Sequence, residues 1–349
     1  MGDAHTRGPL ALSQGMGLAW HMDFSTLSVD IPATAWTGRN DGESPAHRRW
    51  WQTVAIAATS ASPDAPSLNT ASLNASLPGP AALLGFASHA GVARNHGRTG
   101  AATGPAALRA ALGSLAFHGT REVTDAGDIV VSGDSLEDGQ ARCGAALTAM
   151  LDAGYLTCVL GGGHETAYAS YLGVAGTAAF TNGARLGVLN LDAHFDLREA
   201  PVPSSGTPFL QMARAEAAAG RELNYAVVGI SEPNNTRALF DTAHELEVKY
   251  LLDEDCSAER TEGFVSSFLQ TVDIVYLTID LDVMPAAVAP GVSAPAAYGV
   301  PLAIIAAICR QVAASGKLFH CDVAELNPEF DIDNRTAKVA ARLIDTLLR

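Results

Sequence analysis

The sequence is short of cysteine pairs, basic residues and long apolar segments, and each shortage excludes a class of protein. Its five cysteines are scattered without a C-x-x-C pair, which argues against a disulfide framework or zinc knuckle and favours a reducing, cytoplasmic location. Asp3, His5 and Arg7 interrupt the N-terminal stretch, so no export signal or membrane anchor is expected. Only 22 Lys and Arg oppose 37 Asp and Glu, a formal charge of −15 that would repel nucleic acid and anionic lipid. We expect a globular protein whose partner is a small molecule.

The chain instead contains regularly spaced strand and helix patterns. Continuous apolar runs, typical of strands buried on both faces, occur at 82–87, 128–131, 156–160, 186–191, 225–230, 274–279 and 318–323. Ala- and Leu-rich segments with helical character lie at 105–115, 140–153, 209–219, 301–314 and 336–348. This alternation predicts an α/β protein with a mainly parallel, doubly wound sheet. A Ser-, Ala- and Pro-rich stretch near 59–80 predicts a loop or flexible linker.

Three of these runs end in residues that can bind metal. The run 156–160 leads into Gly161-Gly162-Gly163-His164-Glu165, 186–191 leads into Asp192-Ala193-His194-Phe195-Asp196, and 274–279 leads into Asp280-Leu281-Asp282. Ligands of doubly wound sheets bind at the carboxyl ends of the strands, where these motifs would meet. Residues i, i+2 and i+4 of an extended stretch face the same way, so Asp192, His194 and Asp196 can converge.

Four aspartates and two histidines are more ligands than one cation needs, so we infer a binuclear site. Asp192 and Asp280 are the natural bridges; His164 and Asp196 would complete one metal site, and His194 and Asp282 the other. Oxygen-rich ligation without thiolate favours Mn²⁺, although zinc remains open.

Each motif also has an ordinary structural interpretation. A lone D-x-D is usually a turn, a lone buried histidine usually a core residue, and three glycines a tight turn or, less well supported here, a phosphate cradle. Three such motifs at three strand ends favour the metal site, because burying four carboxylates without cations would be costly.

Together the three motifs resemble the signatures of the ureohydrolase family, which includes arginases, agmatinases and formimidoylglutamases. The resemblance begins near Trp36, which implies a single arginase-like catalytic domain over 36–349 behind an N-terminal extension, 1–35. It also implies a three-layer α/β/α fold, two Mn²⁺ ions on the six residues above, and a homo-oligomer, either trimer or hexamer.

Within that family, several stretches look most like formimidoylglutamases, which convert N-formimidoyl-L-glutamate and water to L-glutamate and formamide in histidine degradation. These stretches are 36–39, 94–98, 196–198, 204–209, 231–236 and 322–328. Phe209 falls where arginases place a proton-shuttling histidine, which disfavours arginase. Ser88-His89-Ala90 departs from the acidic residues that formimidoylglutamases tend to carry there.

The same chemistry assigns roles to further residues. A hydroxide shared by two metals could attack an amidine carbon, with Asp196 carrying the proton to the leaving amine and Glu325 pairing with the cationic amidine. Arg198 is the best candidate to bind a substrate carboxylate. Arg94 and Arg98 could bind a second carboxylate or pair with acids of the protein itself, and Asn95 could contact substrate. The alternatives are another ureohydrolase, acting on agmatine or guanidinobutyrate, and a catalytically silent metal-binding relative.

Overall fold

The computed structural model describes residues 22–57 and 79–349. Its strands form one parallel sheet in the order β1-β3-β2-β4-β9-β8-β5-β6-β7. The strands of the described residues are β1 (Ala55–Ile56), β2 (Ala81–Ala87), β3 (Val123–Val130), β4 (Leu156–Leu160), β5 (Leu186–Leu191), β6 (Asn224–Ile230), β7 (Lys249–Leu252), β8 (Ile274–Asp280) and β9 (Leu318–Ala324). The parallel, doubly wound sheet predicted from the apolar runs is confirmed.

Helices cover both faces of this sheet. In the described ranges they are α1 (Trp50–Thr53), α2 (Ala90–Arg94), α3 (Gly104–Gly113), α4 (Leu136–Asp152), α5 (Thr166–Ala175), α6 (Ala178–Thr181), α7 (Pro208–Ala218), α8 (Arg237–Glu245), α9 (Ala258–Thr271), α10 (Leu302–Ala314) and α11 (Arg335–Leu348). None of them is long and apolar enough to span a membrane.

Two separate hydrophobic cores explain why the strand sequences are continuously apolar. One core contains residues of α3, α9, α10 and α11, and the other contains residues of α4, α5, α7 and α8. Neighbouring residues of a strand enter opposite cores, as Leu83 and Leu84 of β2 do. The result is the three-layer α/β/α architecture that the family resemblance implied.

The structure extends the predicted strands where polar residues hide them. β3 begins at Val123 rather than at 128, because Asp125 and Asp128 interrupt its apolar pattern. Both carboxylates are paired inside the fold with Arg109, at 2.7 and 2.6 Å. Sequence reasoning also missed β1 and β7, the short strands at the two edges of the sheet.

The predicted boundary at residue 35 remains a prediction. Of the 1–35 extension, residues 22–35 lie within the described ranges, where Ile31 forms an isolated antiparallel bridge to Asp128. Just beyond, the Trp36 indole N–H donates to Asp125 Oδ2 at 2.8 Å. Of the predicted loop near 59–80, all but the last two residues lie outside the described ranges.

Candidate metal centre

Four adjacent strands deliver the candidate site residues to one edge of the sheet. In spatial order β4, β9, β8 and β5 are followed or ended by His164, Glu325, the Asp280 motif and the Asp192 motif respectively. All four strands are parallel, so their carboxyl ends lie side by side. The convergence expected of the three sequence motifs is therefore present in the fold.

His164 forms the centre of one group of potential ligands. Its Nδ1 lies 3.1 Å from Asp192 Oδ2, 3.0 Å from Asp196 Oδ2 and 3.2 Å from Asp280 Oδ2. Asp196 reaches this position with a positive φ of 48°, a backbone conformation that non-glycine residues seldom adopt and that is often found at functional sites. These four residues are the set predicted for one metal.

A second group forms around His194. Its Nδ1 lies 3.5 Å from Asp192 Oδ1 and 3.1 Å from Asp282 Oδ2. Asp192 therefore presents one oxygen to each histidine, as a bridging carboxylate does. Asp280 Oδ1 instead accepts the backbone N–H of Asp282 at 2.8 Å, so its predicted bridging role stays a prediction.

The chemistry of these side chains fits divalent cations. Ligand atoms that share one small divalent ion at about 2.1 Å in an octahedral arrangement lie roughly 3 Å apart, which matches the spacing around His164. Burial and the charges of Asp282 and Asp192 hold the pKa of Asp280 well above its usual range, and burial with the Asp192 charge raises the pKa of Asp196. The carboxylates thus need positive charge to stay ionised, and cations would supply it.

Neighbouring strands hold His164 through its other ring nitrogen. His164 Nε2 lies 3.0 Å from Thr278 Oγ1, and Thr278 pairs in register with Asp322 of β9. Asp322 Oδ2 accepts hydrogen bonds from Ser170 Oγ at 2.6 Å and Tyr276 Oη at 2.5 Å. Sequence reasoning missed this support, although Thr278 stands two residues before a predicted ligand.

Phe209 closes the site on its apolar side. Its fully buried ring packs edge to face on His164, with centroids 5.5 Å apart, and stacks on Tyr225 at 4.4 Å. Tyr225 Oη donates to Phe195 O and accepts from Asn190 Nδ2, which also donates to Asp192 Oδ2. The position that could have held a proton-transfer group is occupied by packing.

Asn235, which was open between a pocket contact and a turn residue, supports the loop that carries His194. Its Oδ1 accepts the Phe195 N–H at 3.1 Å, and its Nδ2 donates to Ala193 O and Ser231 O, each at 2.9 Å. The buried amide therefore fixes the backbone of the Asp192 motif.

Glu325 lies beside the centre with one carboxylate oxygen unused. Its Oε1 accepts the His164 backbone N–H at 2.7 Å, whereas its buried Oε2 has no hydrogen-bond partner. Burial and the nearby Glu165 charge raise the pKa of Glu325 to about 8. A buried oxygen without a donor is a place where a ligand can bind.

Arg198 and Asn95 meet on the turn formed by 204–207. The Arg198 N–H donates to Gly206 O, and Asn95 Nδ2 donates to Ser205 Oγ at 3.2 Å. A Cβ added to Gly206 would lie 2.8 Å from Arg198 Cδ and 3.3 Å from Asn95 Nδ2. Arg198 is exposed and forms no ion pair with the described residues, so its guanidinium can bind an anion.

Arg94 and Arg98 are engaged within the protein instead. All three guanidinium nitrogens of Arg94 bind Asp134, Glu137 or the Pro203 carbonyl. Arg98 donates to the carbonyls of Val292 and Ser293 and lies over the Phe330 ring. These contacts support internal pairing, which was the alternative to a role in substrate binding, so we assign neither residue to the substrate.

Comparison with known proteins agrees with the fold and the motifs. The arginase family model matches residues 80–349. A formimidoylglutamase of Rhodococcus jostii is 56% identical over 91% of this chain and 96% of its own length, and one of Ralstonia nicotianae is 49% identical over 91% and 95%. Among solved structures, formimidoylglutamase of Bacillus subtilis superposes with a TM-score of 0.69 at 22% identity, covering 78% of this chain and 86% of its own. Trypanosoma cruzi formiminoglutamase with Mn²⁺ gives a TM-score of 0.67 at 24% identity, over 80% and 95%.

The fold and the paired His–Asp groups are those of a binuclear metal hydrolase acting on C–N bonds. The chain belongs to the arginase family.

Proposed function

We propose that this protein is a formimidoylglutamase, which hydrolyses N-formimidoyl-L-glutamate to L-glutamate and formamide. The observation that carries the proposal is the pairing of two unsatisfied groups around one centre: the buried Glu325 Oε2 and the unpaired Arg198 guanidinium. The first suits a cationic amidine and the second a carboxylate. The similarity to formimidoylglutamases supports the same substrate.

Two Mn²⁺ ions would occupy the centre. His164, Asp192, Asp196 and Asp280 would hold one, and Asp192, His194, Asp280 and Asp282 the other, which agrees with the two groups of potential ligands around the histidines. Bound there, the metal pair would lower the pKa of a water molecule and stabilise negative charge on the reacting centre. Oxygen and imidazole ligands without thiolate suit Mn²⁺.

The side chains around the centre position the substrate and move its proton. Glu325 pairs with the amidinium and thereby fixes the electrophilic carbon next to the centre. Asp196 takes the proton of the attacking water and gives it to the amine of glutamate, which leaves as the C–N bond breaks. Arg198, with Asn95 beside it, binds a carboxylate of the glutamate part.

The apolar environment of Phe209 supports the choice within the family. It leaves no histidine at the position where arginases are expected to carry a proton shuttle, so proton transfer rests on Asp196 and water. The reaction therefore differs from arginine hydrolysis in this feature of the site. We also expect a cytoplasmic homo-oligomer, trimeric or hexameric, by family resemblance; sedimentation of the purified protein tests the oligomeric state.

A substrate panel tests the proposed function. Mn²⁺-loaded protein is given N-formimidoyl-L-glutamate, arginine, agmatine or guanidinobutyrate, and release of glutamate or urea is followed. We expect glutamate from the first compound and no urea from the others. Urea release would instead assign another ureohydrolase activity, and a protein that binds two Mn²⁺ ions without any turnover would be a silent metal-binding relative.

A further inference from the structure

A second buried glutamate, Glu165, lies behind the candidate amidine site and has no role in the function proposed above. Its side chain is fully buried, and its Oε1 accepts hydrogen bonds from Ser88 Oγ at 2.7 Å and the Gly91 N–H at 2.9 Å. Its Oε2 is buried without a partner. Both contacts to Oε1 come from donors, which is the arrangement that suits an ionised carboxylate.

Glu165 and Glu325 lie on either side of one peptide unit. Glu325 Oε1 accepts the N–H of the Gly163–His164 peptide, and a Cβ placed on Gly163 would lie 2.2 Å from Glu165 Oε2. The same construction on Gly162 would place its Cβ 1.9 Å from Ser88 O. The glycines therefore let the loop after β4 approach Ser88 and leave the space that the Glu165 carboxylate fills.

The charges of the site give this second carboxylate a consequence. Two divalent ions would balance the four aspartates, so the remaining negative charge beside the substrate comes from Glu325 and Glu165. A protonated amidine carries one positive charge, whereas an amide of the same shape carries none. In a buried site with few mobile waters, a nearby fixed charge discriminates between the two.

We propose that Glu165 is a specificity-determining residue, whose charge favours binding of a cationic amidine over the corresponding neutral amide. It acts from behind Glu325 without touching the substrate, and Ser88 and Gly91 hold it in place. This inference rests on the proposed function and adds the basis of selection for the cationic form.

The test compares two ligands with the same glutamate part. N-formimidoyl-L-glutamate is the cationic substrate, and N-formyl-L-glutamate is its neutral analogue, used as a competitive inhibitor. For Glu165→Gln, which keeps a hydrogen-bond acceptor at Oε1, we expect KM for the substrate to rise about tenfold with little change in kcat. The Ki of the neutral analogue should stay the same.

Two further variants separate charge from structure. Glu165→Asp keeps the charge and should preserve most of the wild-type ratio of Ki to KM. Ser88→Ala removes a hydroxyl contact but no charge, and should leave that ratio within about twofold of wild type, since a neutral contact contributes less than a charge. Mn²⁺ content and thermal unfolding of each variant are measured alongside.

The outcomes distinguish this inference from the function on which it rests. Wild-type protein without activity on N-formimidoyl-L-glutamate would overturn both. Active wild type together with a Glu165→Gln variant that weakens both ligands equally, or neither, would overturn only the role of Glu165. A Glu165→Asp variant that loses selectivity as completely as Glu165→Gln would also overturn it, because charge would then not be the cause.

Discussion

Asp280 combines two contacts that few single residues in the site share. One oxygen lies 3.2 Å from His164 Nδ1, and the other accepts the Asp282 N–H. Asp280→Ala therefore removes a proposed ligand and releases the backbone that carries another. We expect loss of measurable turnover and loss of at least one of the two Mn²⁺ ions, determined by metal analysis after gel filtration.

The matched control for Asp280 is Asp241→Ala, which removes an exposed carboxylate on α8. It should leave metal content and turnover unchanged. An Asp280→Ala variant with full turnover would contradict the metal assignment and with it the proposed reaction.

Single residues also show where sequence reasoning stops. The spacing in the Asp192 motif predicted that Asp192, His194 and Asp196 converge, because alternation along an extended stretch is local. Whether Arg94 and Arg98 were free could not be predicted in this way. Their partners Asp134, Glu137, Val292 and Ser293 are distant in sequence, and only the folded chain brings them together.

At the scale of strands, the register between β8 and β9 organises the support behind the metal centre. Thr278 of β8 lies opposite Asp322 of β9 and contacts His164 at the end of β4. Thr278→Val keeps the shape of the side chain but leaves His164 Nε2 without its partner. We expect Mn²⁺ affinity to fall about 10- to 100-fold, the usual effect of losing the contact that orients a ligand histidine, as measured by calorimetric titration.

Thr157→Val is the control for Thr278→Val on the neighbouring strand. Thr157 is equally buried, but its hydroxyl contacts His320, which is not a proposed ligand. It should leave Mn²⁺ affinity unchanged even if it lowers stability. Equal affinity of wild type and Thr278→Val would show that the carboxylates alone orient His164.

Strand ends could be predicted from the sequence, whereas strand neighbours could not. β4 and β5 run over the residues that their apolar runs predicted, since burial in two cores leaves a continuous pattern. The placement of β9 between β4 and β8 is what puts Glu325 and Asp322 beside the centre. No local pattern specifies that order, so the roles of Thr278, Asp322 and Glu165 were not visible in the sequence.

At the scale of the whole molecule, a buried histidine links stability to pH. His320 of β9 is fully buried, with Nδ1 2.7 Å from Thr157 Oγ1 and Nε2 without a partner. Burial lowers the pKa of His320 to about 3, from the ordinary value of 6.5. The folded protein therefore holds this ring neutral at pH values where an unfolded chain would protonate it.

The direction of the effect follows from proton uptake. As pH falls below about 6.5, the unfolded state gains a proton that the folded state does not accept until about pH 3. The free energy of unfolding should therefore decrease across this window, by up to about 1.4 kcal/mol per pH unit from this group. Above pH 6.5 the contribution of His320 is complete and no longer changes.

His320→Gln should remove this part of the pH dependence, because glutamine fits the same polar contact without titrating. Urea unfolding of chelator-treated protein between pH 7 and 4 measures it, with metal absent so that metal loss does not add to the slope. Exposed His118 provides the control, since His118→Gln should follow wild type throughout. Parallel curves for wild type and His320→Gln would mean that the ring is already protonated in the fold. A charged imidazole would then have to lie between Thr157 and Tyr276 without a carboxylate contact, contrary to the burial that the two-sided sheet imposes.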